Sequence, residues 1–184
     1  GIKTSGFHTK NVIDSVDNNK INDLLKEGKI VIVAGFQGVN SRGDVTTLGR
    51  GGSDTSAVAL AAALDARCEI YTDVDGIYSI DPRVYKEAKK LPLISYDEMM
   101  ELAFLGAGVM EPRAVELGKK YGVQIYVGKS LGEKNGTIIC SEEKCMEKKL
   151  ITGISINENT AMISIENIPT YASNVYTIFK SAER

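Results

Sequence analysis

The chain has 184 residues, 43% of them hydrophobic and 25% charged, enough to bury the core of one large domain with room for a partial second. Its formal net charge is −2 with acids and bases interspersed, which gives no polycationic face for nucleic acid and no polybasic membrane patch, so neither partner is expected. No stretch approaches the roughly 20 apolar residues that cross a bilayer, Gly1-Ile2-Lys3-Thr4-Ser5 does not read as a signal peptide, and an odd number of cysteines fits a reducing compartment; the expectation is a cytoplasmic protein. Residues 21–26 with Gly28 beyond them read as a short helix and its terminal glycine, leading into a strand at 29–34. A glycine-rich segment follows, then a helix from about 53 to 65, in which Ala57, Leu60, Ala61 and Leu64 mark one buried face. Residues 68–72 read as the next strand, and Ser95-x-x-Glu98 is a capping box that opens another helix. Pro112 suits the first turn of a further helix ended near Gly122, after which 123–127 return to strand.

Strands separated by helices imply an α/β protein with a mainly parallel sheet sandwiched by helices and ligands at the carboxyl ends of the strands. The loops at 35–54 and 73–83 both follow strands and are expected at that rim. Composition shifts at Gly132-Glu133-Lys134-Asn135-Gly136 and over 141–149, which places a boundary near 148. Beyond it, 151–156 and 161–165 are strand-like about a polar turn at Asn157-Glu158-Asn159, and 172–182 has helical spacing in Val175, Ile178 and Phe179.

The segment that concentrates chemistry is Thr47-Leu48-Gly49-Arg50-Gly51-Gly52-Ser53-Asp54, which puts a cation, a hydroxyl and a carboxylate on a glycine-relaxed turn at the mouth of a helix. Glycines let backbone approach a ligand, and free N–H groups with the positive dipole end attract anions. Arg50 is suited to a bidentate clamp on a carboxylate, and Asp54 to an ammonium group or to organising a metal; a zwitterionic amino acid satisfies both. The plainer alternative is an ordinary capped helix, with Ser53 or Asp54 as N-cap and Arg50 solvated. Cys140 and Cys145 form a C-x4-C pair with only His8 elsewhere, which argues for structural or incidental thiols and no zinc site.

The run Val33-Ala34-Gly35-Phe36-Gln37-Gly38 through Thr46 to Ala57 resembles the substrate loop of aspartate kinases in the amino acid kinase fold family. Tyr71-Thr72-Asp73-Val74-Asp75-Gly76-Ile77-Tyr78 with Asp81-Pro82-Arg83 is similar to that family's nucleotide-binding strand and loop. Ser95-Tyr96-Asp97-Glu98-Met99-Met100-Glu101-Leu102 and Gly106-Ala107-Gly108-Val109-Met110-Glu111-Pro112-Arg113-Ala114-Val115-Glu116 form a third matching block, so the resemblance covers nearly the whole chain. It implies the catalytic domain's C-terminal portion at 1–148 and the opening of an ACT regulatory domain at 149–184, with the family's opening phosphate loop absent. The implied reaction passes the γ-phosphoryl of ATP, with Mg2+, to the side-chain carboxylate of L-aspartate, toward lysine, threonine and methionine. By the same resemblance Arg50, Ser53, Asp54 and Phe36 hold aspartate, with Asp54 also catalytic, and Thr72, Asp73, Tyr78 and Arg83 line the nucleotide. Lysine or threonine is the implied effector, ACT domains the implied route to a homo-oligomer, and the piece alone is expected to be inactive without its phosphate loop.

The sequence departs from the family's pattern in the third block. Gly108 stands where many members have lysine, which reads as a loop glycine with positive φ, and Met110-Glu111 stands where leucine-histidine is commoner. His8 reads as a surface or turn residue. Two alternatives stay open: another amino acid kinase, acting on glutamate, acetylglutamate or a nucleotide, and a non-catalytic regulatory module.

Overall fold

The computed structural model describes residues 1–6, 11–106, 108–131, 135–144, 151–156, 164–165, 168–169 and 171–182. Ile2–Ser5 (β1) and Val12–Val16 (β2) precede Asn19–Lys26 (α1), then Gln37–Val39 (β3), Val45–Thr47 (β4) and Gly52–Ala63 (α2). Cys68–Thr72 (β5), Ile77–Tyr78 (β6), Lys90–Leu91 (β7) and Leu93–Ser95 (β8) lead to Tyr96–Phe104 (α3) and Pro112–Tyr121 (α4). Ile125–Lys129 (β9), Thr137–Cys140 (β10) and Ala172–Ala182 (α5) complete the order.

Two four-stranded sheets result, in the orders β2-β1-β3-β4 and β5-β9-β10-β8, with β6 and β7 as a separate ribbon. In the second sheet β5–β9 and β8–β10 pair in parallel and β9–β10 antiparallel; in the first only β1–β3 is parallel. Side chains alternate across a strand, so Cys68, Ile125, Val127 and Ile139 turn to one face, where Val58, Met99, Ala114 and Val115 meet them in the core. The other face presents Glu69, Tyr71, Tyr126 and Ile138 around a shallow cavity of about 240 Å³.

α2 is buried more completely than its sequence pattern indicates. Gly52, Thr55, Ser56, Val58, Ala59 and Ala61 are the buried positions, whereas Ala57, Leu60 and Leu64 are only half-buried. The helix packs against β2 and β3 on one side and against α4 and β5 on the other, and a helix covered on several sides loses its single apolar stripe.

Two expected strands do not form. Residues 29–34 join neither sheet, and Ile30 and Ile32 stay 95% and 94% exposed. A β-branched run becomes a strand only where a neighbouring ladder takes up its N–H and C=O groups. Residues 151–156 also form no strand, because their polar groups are spent elsewhere. The N–H of Ile154 donates to the Ser79 carbonyl at 2.7 Å, the Ser155 hydroxyl to the Leu105 carbonyl at 2.8 Å, and the Thr152 hydroxyl to Glu98. This strap lies beyond the boundary expected near 148 yet is bonded back to the preceding part. The turn at 157–159, most of 161–165 and Cys145 lie outside the described residues, whereas α5 falls where helical spacing placed it. Among the described residues no helix is long and apolar enough to cross a membrane.

Candidate active site

Within the loop expected at 35–54, the chain forms a β-hairpin running into a tight turn. β3 and β4 pair antiparallel, with Gln37 opposite Thr47 and Val39 opposite Val45. The N–H of Leu48 donates to the Phe36 carbonyl at 2.9 Å, closing the hairpin base. The N–H of Gly52 then donates to the Gly49 carbonyl at 3.1 Å, so Arg50 and Gly51 are the central residues of a turn, and Gly51 takes φ +64°. Positive φ at the third turn position is glycine's role. Arg50 is therefore carried outward at the tip and is exposed.

Both glycines serve packing within the protein. A Cβ on Gly51 would lie 2.5 Å from Cβ and Cγ of Glu111, and one on Gly52 would lie 2.8 Å from Leu48 Cβ and 3.0 Å from the Phe36 ring. Phe36 itself has φ +70°, a conformation uncommon for a bulky residue, held by its N–H donating to Ser56 Oγ at 3.2 Å. Its ring stays 45% exposed beside the turn. Phe36, Arg50, Ser53 and Asp54 thus share the mouth of α2, as the sequence indicated.

Gly51 is the N-cap of α2 and no side chain caps the helix, so neither Ser53 nor Asp54 is the ordinary cap that the plainer reading required. Asp54 lies in the first turn, half-buried, where burial raises its carboxyl above the usual aspartate value, opposed by hydrogen bonds from the Glu111 N–H and the Ser53 hydroxyl. Asp54 in turn contributes, after burial itself, to pushing the Cys68 thiol up to about 11.

The second cluster follows β5. Thr72 Oγ1 donates to Asp73 at 2.9 Å, and the Tyr78 hydroxyl donates to both oxygens of Asp75 at 3.1 Å. Lys90 Nζ reaches Asp75 at 3.0 Å and holds that carboxyl below the usual range. Arg83 is 89% exposed and forks onto Asp81 through Nε at 3.1 Å and Nη2 at 2.7 Å, with Asp73 adding a smaller attraction. Thr72, Tyr78 and Arg83 each hold an acidic neighbour here, and Asp73 is the acid that Thr72 holds.

Sequence reasoning overlooked Asp75 and Lys90 in the cluster after β5, and Ser56, Glu111 and Arg113 around the turn at the mouth of α2. Asp75 was legible as the second acid of Asp73-Val74-Asp75. Glu111 and Arg113 come from a helix some 60 positions downstream of the turn, and no local pattern ties them to it. Positive φ, expected at Gly108, falls on Gly106 instead, since the helix stop after α3 needs it first. His8 lies outside the described residues.

Two sheets flanked by helices, with a cationic turn at one helix mouth and an acid-rich loop after the edge strand β5, define an α/β architecture. The chain belongs to the amino acid kinase family, whose model matches residues 1–129. It is 50% identical over 181 residues to an aspartokinase of Bacillus sp. strain MGA3, covering 97% of this chain and 44% of that relative. Escherichia coli aspartokinase III in complex with aspartate and ADP (R-state) superposes with a TM-score of 0.68 at 36% identity, covering 76% of this chain and 33% of that one. The same enzyme with lysine and aspartate (T-state) gives 0.63 at 35% identity, covering 77% and 33%. The chain therefore spans less than half the length of the curated relatives it matches.

Proposed function

We propose that this chain is part of an aspartate kinase, which transfers the γ-phosphoryl of MgATP to the side-chain carboxylate of L-aspartate and yields ADP and 4-phospho-L-aspartate. The observation that carries the reading is the Gly49–Gly52 turn, which lifts Arg50 into solvent one helical turn from the half-buried Asp54. Arg50 takes the α-carboxylate as a fork, Asp54 and Ser53 take the ammonium side, and the Phe36 ring walls the pocket. A carboxylate oxygen of aspartate attacks the γ-phosphorus while the bond to the β,γ-bridging oxygen breaks. The attacking group is ionised at neutral pH, so the protein's task is to position two anions and offset their repulsion. Thr72, Asp73, Tyr78 and Arg83 hold the nucleotide.

Among the described residues no three His, Cys, Asp or Glu side chains converge into a metal cage. Mg2+ enters with ATP as part of the MgATP substrate. The E. coli relative was crystallised with lysine, which supports a feedback amino acid, lysine or threonine, for the full-length protein. Residues 149–184 are read as the opening of its ACT regulatory part, through which copies associate, in a cytoplasmic enzyme of amino-acid biosynthesis.

The test is ADP release by the full-length protein with aspartate, glutamate, acetylglutamate and a nucleoside monophosphate offered in parallel. Aspartate alone is expected to support turnover. Arg50→Ala is expected to weaken aspartate by about 1.5–3 kcal/mol, the scale of hydrogen bonds to a charged group, with ATP nearly unaffected. Turnover on another acceptor, or an unchanged aspartate KM in the variant, overturns the assignment.

A further inference from the structure

The substrate turn is held from behind by the first turn of α4. Arg113 donates from Nη1 to the Leu48 carbonyl at 3.1 Å and from Nη2 to the Asn11 carbonyl at 2.8 Å. These bonds join positions 65 and 102 residues apart in the chain. Both anchors are immobilised, since Leu48 and Asn11 are 2% and 1% exposed. Leu48 is fixed at its N–H by Phe36, at its carbonyl by Arg113, and through Thr47, whose carbonyl accepts the Asn11 N–H at 3.2 Å. Glu111, at the N-cap of the same helix, fills the space left by the absent Gly51 side chain and gives its N–H to Asp54. One helix end thus touches the turn before Arg50, directly after it, and at Asp54.

We propose that Arg113 is a positioning residue for the acceptor amino acid. Its rigid fork fixes the Leu48 carbonyl two residues before Arg50, and so fixes the direction in which Arg50 leaves the turn. Lysine cannot reproduce the two divergent donors from one planar group. The inference rests on the aspartate kinase reading of the Arg50 turn.

The experiment compares Arg113→Met and Arg113→Lys with the unaltered full-length protein, measuring KM for aspartate, KM for ATP, kcat and melting temperature. Methionine keeps the apolar stem and removes the donors; lysine keeps the charge and one bond. The aspartate KM is expected to rise about 10- to 100-fold in the methionine variant, the scale of an ångström-sized misplacement, with the ATP KM within about twofold. The lysine variant should fall between the two. Equal changes in both KM values, or a lowered melting temperature with unchanged kinetics, overturn the positioning role and leave Arg113 as a structural cross-link. Should the methionine variant fail to fold, the KM ratio of the lysine variant decides the same question. Absence of aspartate-dependent ADP release from the unaltered protein overturns the functional reading itself, and this inference with it.

Discussion

Asp54 shows at the scale of one residue how a site can oppose the stability of its fold. Burial raises its carboxyl above the ordinary 3.8, although the Glu111 N–H and the Ser53 hydroxyl pull the other way. An acid whose folded pKa is raised binds its proton more readily in the native state. Its ionisation therefore costs stability, in full above the folded pKa, and the cost fades as the pH falls toward 3.8. Asp54→Asn keeps the shape without the charge. Turnover in the full-length enzyme should drop, while the melting temperature at pH 7 stays equal or rises, and that advantage should shrink in melts recorded at successively lower pH. A variant less stable at pH 7 would show that the carboxylate is retained for the helix and not for the substrate. Asp75 behaves oppositely, because the Lys90 contact lowers its pKa and its contribution is lost as the pH falls through that lowered value.

Among the elements, α2 and α3 begin in contrasting ways, and the contrast separates stability from function. α3 has a full capping box. The Ser95 hydroxyl accepts the Glu98 N–H at 3.3 Å, and Glu98 accepts the Ser95 N–H at 2.9 Å. α2 starts at a left-handed glycine with no side-chain cap. Ser95→Ala should cost about 1 kcal/mol in urea unfolding and leave the aspartate KM alone. Gly51→Ala meets both an unfavourable φ and the Glu111 side chain, so its main effect should be a raised aspartate KM. A kinetic effect from the first substitution, or none from the second, would contradict this division.

Across the whole molecule, the strap at 151–155 ties the later part of the chain to Ser79, just after β6. Ile154 bonds the carbonyl of Ser79, next to Tyr78, and a Cβ on Gly153 would come within 3.0 Å of that same carbonyl and 3.2 Å of Leu102. Gly153→Val should displace the strap at a cost of about 1–3 kcal/mol in thermal or urea unfolding, and raise the KM for ATP more than that for aspartate. Unchanged stability and ATP kinetics would show that the strap carries no load on the nucleotide loop.

What the sequence determined by itself was whatever depends on near neighbours. The capping box at Ser95, Pro112 at the head of α4, the left-handed Gly122 at its end and the strand at Cys68–Thr72 all stand where the pattern put them. That Arg50, Ser53 and Asp54 lie close together was legible too, because a turn and the first turn of the helix it opens keep them near one another, whereas Phe36 joins them only through the hairpin that closes at Leu48. Tertiary structure decided the rest, because those outcomes depend on partners distant in the chain. Residues 29–34 have strand composition but gained no ladder, and 151–156 spent their hydrogen bonds on Ser79, Leu105 and Glu98. Arg113 reaches the base of the Gly49–Gly52 turn only because α2 and α4 pack together, bringing its guanidinium to carbonyls 65 and 102 positions away. Side-chain spacing within a segment encodes its own helix or strand; the contacts that aim Arg50 arise only when the segments meet.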